Sequence, residues 1–259
     1  MCGLTQIRDL IIWKLNPKEW LVFATDNLAG IGELTHDRFA ASAEDAGYFT
    51  ARVALFELLT SGAAPTLIID TVSAGGTYGE RIIAGIRAAV REAGLPDEFP
   101  VTGSTESNVP IAVTALGVTV VGHVPPPTLR LGSARAGDEV WLVGTPKSAP
   151  HDQVLRGDPA SVSFSRLHRL LAMSSVREVL PVGSRGAVRE AQQLATTTGL
   201  RFLPLPTAAE EIATKSGGPA TAVLVAGRLS GDPHWRGVST QIPCLHLGNL
   251  LPDRLESQS

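Results

Sequence analysis

The run Pro125-Pro126-Pro127 constrains the fold more than any other feature of the chain. Three consecutive prolines remove three main-chain donors and fix φ, so they interrupt both helix and central strand and favour an extended spacer. They fall near the middle of 259 residues. The segments on either side are each long enough for a core of their own. The sequence therefore predicts two domains, 1–125 and 128–259.

Composition excludes several classes. Hydrophobic residues make up 44% and charged residues 18%, and no apolar run approaches the ~18 residues of a membrane span. The expectation is a globular protein with no membrane partner. The formal charge is −3 with no basic block, so nucleic acid is not expected as a partner. Cys2 and Cys244 are the two cysteines and do not suggest a disulfide-held fold. The first residues lack the basic and apolar regions of a secretory signal, so a cytoplasmic location is expected.

The first domain reads as mixed strands and helices. Leu10 to Leu15 and Leu21 to Thr25 form a predicted hairpin about Asn16-Pro17. Tyr48 to Leu59 reads as a helix ending at Ser61-Gly62, with Pro65 beyond. Leu67 to Val72 is a strand, and the glycine-rich stretch Ser73 to Gly79 leads into a helix with apolar positions Ile82, Ile83, Ile86, Ala89, Val90 and Ala93. Ile111 to Val121 reads as a long strand. In the second domain, Glu139 to Gly144 and Thr221 to Ala226 read as strands, and Ser163 to Ser174, Gly186 to Thr198 and Ala208 to Lys215 as helices. Thr145 to Pro159 reads as a polar loop between them.

Common catalytic signatures are missing: no Gly-Lys-Ser/Thr phosphate loop, no G-x-G-x-x-G, no nucleophile elbow and no zinc-spaced histidines. What the sequence offers instead is acids beside glycines at the ends of apolar strands. Asp26-Asn27 precedes Gly30 and Gly32, with His36-Asp37 following. This phrase reads equally as an Asx turn, and His36 as a packed or surface histidine. Glu57 is the single acid in an otherwise apolar helix segment, though Thr60 and Ser61 give its face some polarity. Gly103-Ser104-Thr105-Glu106-Ser107-Asn108 reads as a small polar loop, alternatively a simple turn. Such acids and glycine loops fit a magnesium–nucleotide site, because Mg²⁺ takes a few carboxylates plus phosphate oxygens and water, while main-chain N–H groups hold phosphate.

The order of these pieces resembles the superfamily of aminoimidazole ribonucleotide synthetase, selenophosphate synthetase, thiamine-monophosphate kinase and the hydrogenase-maturation dehydratase. The matching phrases are Thr25-Asp26 to Gly32, then Glu57 to Pro65 in place of D-x-x-A-M-G-A-x-P, then Gly103 to Glu106 in place of a glycine–acid phrase. Glu57 stands for the usual Asp, Ser61 for the usual Met, and the acid of the Gly103 phrase is displaced by one position. The smaller features Ile69-Asp-Thr71 and Leu180 to Ser184 resemble the short branch containing alpha-ribazole kinase.

The resemblance implies an α+β fold: an N-terminal ferredoxin-like domain forming a β-barrel across a homodimer, plus a C-terminal α/β domain. It implies ATP and Mg²⁺, with metal held by Asp26, Glu57 and Glu106. Nucleotide would lie against Asn27, Gly30, Gly32, Gly103, Ser104 and Thr105, and Asp26 and Asp37 would be the catalytic acids. The implied reaction moves the γ-phosphoryl of ATP to a riboside hydroxyl, as in alpha-ribazole phosphorylation. Thiamine-monophosphate kinase chemistry or another ATP-activating synthetase is the alternative within the superfamily, and a non-catalytic nucleotide-binding protein the alternative outside it.

Overall fold

The structure is a computed structural model describing residues 3–206 and 210–253, and the chain divides into two compact units between Leu129 and Arg130. Among the described residues no helix is long and apolar enough to cross a membrane.

The first unit is a six-stranded sheet covered on one face by two helices. Its strands are β1 (Gly3–Ile7), β2 (Leu10–Asn16), β3 (Glu19–Ala29), β6 (Ala64–Val72), β7 (Val101–Thr105) and β8 (Ala115–Val124), in the order β1-β2-β3-β8-β6-β7. The short strands β4 (Ile31–Gly32) and β5 (Phe39–Ala40) pair separately. Every pair in the large sheet is antiparallel except β6 with β7. A parallel neighbour needs a crossover, and α2 (Gly76–Glu92) supplies it. The other helix is α1 (Ala43–Thr60).

Local chemistry sets the helix limits. The Ser42 side chain accepts a hydrogen bond from the Asp45 N–H, an N-cap that starts α1 five residues before the predicted Tyr48. Gly94, at φ +79°, ends the α2 segment in the left-handed region. The helices cross through glycines: a Cβ on Gly47 would lie 2.0 Å from the Ile82 carbonyl oxygen, and one on Gly85 2.0 Å from that of Glu44. Leu10, Ile12, Val22, Ala24, Ile68, Val72, Val118 and Val120 are buried, and alternate residues Ile11, Trp13 and Ile69 are exposed. That alternation marks one sheet face as core and leaves the other uncovered and apolar.

The second unit holds β9 (Glu139–Val143), β10 (Val176–Pro181), β11 (Leu200–Pro204), β12 (Val223–Gly227) and β13 (Cys244–Pro252) in the order β10-β12-β9-β13-β11, antiparallel throughout. Its helices are α3 (Phe164–Ala172), α4 (Ala187–Thr197), α5 (Glu210–Thr214) and α6 (Pro233–Ser239). Ala187, Ala191, Leu194 and Ala195 of α4 pack on Val140, Leu142, Leu224, Leu247 and Leu250.

Several expectations need correction. The strand carrying Asp26 runs on to Ala29, because Asp26 and Asn27 pair with Val118 and Gly117 of β8 in a regular ladder. There is no Asx turn at that point. Gly103 to Thr105 is strand rather than loop, paired with Asp70 to Val72. The strand predicted from Ile111 begins at Ala115. Strands β1, β7, β10, β11 and β13 and helix α6 carried too few or too short apolar runs to be read. Ala208, in the predicted helix 208–215, lies outside the described residues, as does Cys2.

Candidate active site

The acids predicted to gather do not share one locus. Asp26 lies on the helix-covered face of β3, in a row that crosses the sheet as Asp26, Val118, Asp70 and Gly103. Burial pushes its carboxyl up to about 6, offset in part by a hydrogen bond from the Asn27 main chain. Asn27, the next residue, projects to the opposite face and is exposed. Side chains on opposite faces do not serve one ligand, so Asp26 and Asn27 part company.

Glu57 stands in the last turns of α1. Its neighbour Leu58 meets Gly122, which pairs with Val22, four residues back along β3 from Asp26. At ~3.3 Å per residue that is ~13 Å from the Asp26 row. Glu106 follows β7 and is three strands from β3 in the sheet order, or ~14 Å. Its carboxylate accepts a hydrogen bond from the Asn108 N–H at 2.5 Å. Among the described residues no three of His, Cys, Asp and Glu stand close enough to hold a metal. The predicted triad of Asp26, Glu57 and Glu106 is therefore not assembled within one chain.

Asp37 has a structural task. One carboxylate oxygen accepts from the Leu34 N–H (2.8 Å) and the Thr114 hydroxyl (2.6 Å), and the other from the Thr114 N–H (2.8 Å). Burial raises its pKa, but these hydrogen bonds outweigh it and hold the carboxyl below its usual range. Because the Thr114 hydrogen goes to Asp37, the Tyr78 hydroxyl donates to Thr114 Oγ1 (2.7 Å) and accepts from the Glu33 N–H (3.1 Å). With three bonds accepted, the Asp37 carboxylate clamps Leu34 to Thr114.

The glycines answer to the same packing. A Cβ on Gly32 would lie 2.1 Å from Thr114 Oγ1 and 2.6 Å from Asp37 Oδ2, and the Gly30 N–H is spent on the Thr114 carbonyl at 2.8 Å. A Cβ on Gly103 would lie 1.9 Å from the Asp70 carbonyl oxygen. Gly32 and Gly103 are thus required by their own neighbours, and Gly30 by its φ of +74°. Ser104 and Thr105 belong to the edge strand, on alternate faces.

Two features escaped the sequence reading. Asp70 is buried in β6, and burial raises its carboxyl pKa while Arg87 pulls it back. An acid at the middle inward position of Ile68, Asp70 and Val72 was the available signal. The second is a cavity of about 400 Å³ lined by Leu34, Ala74 to Gly76, Tyr78 and Ser107 to Ile111, within the size range of small-ligand sites. It opens at the start of α2, where the N-cap is Gly75 with no side-chain cap and the first turn has no acid. The free N–H groups and the positive end of the helix dipole favour an anion there. The stretch Ser73 to Gly79 marked the place without disclosing its use.

Residues 8–124 match the family described as AIR synthase related protein, N-terminal domain. The AIR synthase related segment therefore covers the first unit almost entirely and supports the superfamily resemblance read from the sequence. No curated protein matches the chain. Among solved structures the fold is similar to thiamine-monophosphate kinase from Stenotrophomonas maltophilia K279a, 19% identical with a TM-score of 0.62, covering 98% of this chain and 89% of that one. It is also similar to T. maritima PurL complexed with AMPPCP, 13% identical, TM-score 0.63, covering 93% of this chain and 42% of that one. Hydrogenase maturation protein HypE in complex with ATP is 16% identical, TM-score 0.61, covering 89% of this chain and 77% of that one. At these identities the likeness is one of fold, and it supports the α+β architecture.

Proposed function

We propose that this chain is an ATP- and magnesium-dependent phosphotransferase that moves the γ-phosphoryl group of ATP to a riboside hydroxyl, alpha-ribazole being the leading acceptor. The observation that carries this reading is the cavity at the uncapped start of α2, set inside an AIR synthase related domain. Phosphates would lie against the N–H groups of Gly76 and Thr77, with Asn108 and Ser107 at the opposite wall. Supporting it, two proteins of this fold carry AMPPCP or ATP in their structures.

The donor set fits a nucleotide better than an all-protein metal cage. Mg²⁺ needs only one or two carboxylates when phosphates and water complete its octahedron, and Glu106, next to Ser107 and Asn108 of the cavity lining, is the acid we assign to it. Magnesium would neutralise charge developing on the transferring phosphoryl group. The acceptor oxygen forms a bond to the γ-phosphorus as the bond to the bridging oxygen breaks, ADP leaves, and the hydroxyl proton is released. The chain's part is positioning: α2 holds the phosphates, and the Tyr78–Thr114–Asp37 network fixes the wall of the cavity.

The uncovered sheet face bearing Ile11, Trp13 and Ile69 supports the further proposal that two chains pair through it. The scattering of Glu57, Glu106 and Asp26 favours one second reading, a nucleotide-binding protein without turnover. Incubating the protein with Mg-ATP and either alpha-ribazole or thiamine monophosphate, followed by ³¹P NMR, separates these. Equal amounts of ADP and a new riboside ester are expected. Thiamine diphosphate from thiamine monophosphate, with no ester from alpha-ribazole, moves the chain to the alternative kinase, and magnesium-dependent AMPPCP binding with no ADP from any acceptor supports the second reading.

A further inference from the structure

The segment 107–113 joins β7 to β8, and Ser107 to Ile111 line the cavity at the start of α2. Its ends are pinned. The Glu106 N–H donates to the Val72 carbonyl at 2.8 Å, the His36 N–H to the Ala112 carbonyl at 2.9 Å, and the Thr114 N–H to Asp37 at 2.8 Å. Between the pins the chain is held by little. Pro110 has no N–H, and among the described residues the N–H groups of Ser107, Val109 and Ile111 have no hydrogen-bond partner. Val109 is 61% exposed and Val113 37%, so neither supplies a buried anchor.

Asn108 is the exception. Its N–H donates to Glu106 Oε1 at 2.5 Å, a short bond to a charged acceptor. The segment is thus a strap with two fixed ends and one latch between them. It also rests on the helix it faces. A Cβ on Gly75, the N-cap residue of α2, would lie 2.8 Å from the Ser107 Cβ and 3.2 Å from the Glu106 carbonyl oxygen. Latched, the strap crowds the mouth of α2 beside the N–H groups of Gly76 and Thr77. A carboxylate whose charge is drawn to a divalent cation is a weaker acceptor for an N–H, so metal and latch compete for Glu106 and each loosens the other equally.

We propose that Glu106 is the latch of this strap and that metal binding releases it: engaged by the ion, the carboxylate gives up the Asn108 N–H, and the segment 107–113 lifts from the start of α2 between its pinned ends. The cavity then admits a nucleotide in its magnesium complex in preference to the bare polyphosphate. This rests on the nucleotide reading of the cavity and on Glu106 as the acid of the metal.

The ¹H–¹⁵N NMR spectrum of the full chain follows the Asn108 amide, and calorimetry follows binding under the same conditions. In the free protein the Asn108 proton is expected far downfield and exchanging with solvent about tenfold more slowly than in Glu106→Gln, whose melting temperature checks its fold. Mg-AMPPCP is expected to move this proton upfield to its position in Glu106→Gln, while AMPPCP with EDTA leaves it in place. Heat of Mg-AMPPCP binding with the Asn108 proton unmoved, an equal movement with AMPPCP in EDTA, or one position shared by the free wild type and Glu106→Gln overturns the latch and leaves the nucleotide reading standing. Absence of heat, with the Gly76 and Thr77 amides unshifted by Mg-AMPPCP, overturns both.

Discussion

Asp26 makes stability depend on pH. Its carboxyl is pushed up to about 6 by burial, above the ~4 of an unfolded chain. The folded state therefore holds this proton more tightly than the unfolded state. Stability from this group is greatest below about pH 4 and falls as the pH rises through 6. Asp26→Asn is expected to raise stability at pH 8, by at most about 3 kcal/mol at ~1.4 kcal/mol per pKa unit, and to change little at pH 3.5. Urea unfolding at the two pH values checks this. Glu106→Gln is expected to lose magnesium-dependent turnover, and wild-type turnover at limiting Mg²⁺ would remove Glu106 from the metal site. Gly103 is governed by space alone. Gly103→Ala, with its Cβ 1.9 Å from the Asp70 carbonyl oxygen, is expected to cost about 2–3 kcal/mol as β7 is forced from β6, read as a lowered melting temperature.

Among the elements, the start of α2 carries the nucleotide proposal. Asn108 is exposed and lines the same cavity. Asn108→Asp would set a negative charge against bound phosphate, and AMPPCP affinity is expected to fall several-fold in calorimetry while the melting temperature holds. Unchanged affinity would move the phosphates elsewhere. How much of this was legible depended on where the information lay. Helices α2 and α4 announce themselves because their apolar positions repeat within the segment. The Ser42 cap was overlooked because the apolar run proper begins only at Tyr48. The strand that carries Asp26 was ended early because polar Asp26 and Asn27 break the apolar run. The ladder with β8 that carries them is a non-local contact. Gly32 and Gly103 illustrate the same limit. A glycine needed for a ligand and a glycine needed for Thr114 or Asp70 look alike until the partner strand is in place.

For the whole molecule, the uncovered face of the first sheet is the feature with most consequence for assembly. Ile11→Asp combined with Ile69→Asp sets two charges on that face, where neither side chain contributes to the buried core. Sedimentation is expected to show twice the chain mass for the wild type and a single chain for the double variant, with each remaining folded by circular dichroism. A single chain in the wild type would remove the pairing proposal. Neither the sheet order nor the exposure of this face follows from the sequence pattern alone. Apolar residues at both odd and even positions of β2 read only as a strand buried on two sides.

The two glycine crossings of α1 and α2 bear on motion as well as packing. With Gly47 set against Ile82 and Gly85 against Glu44, neither helix slides past the other without main chain striking main chain. The pair moves as one rigid piece. A ligand seated at the start of α2 therefore rests on two interlocked helices rather than on one.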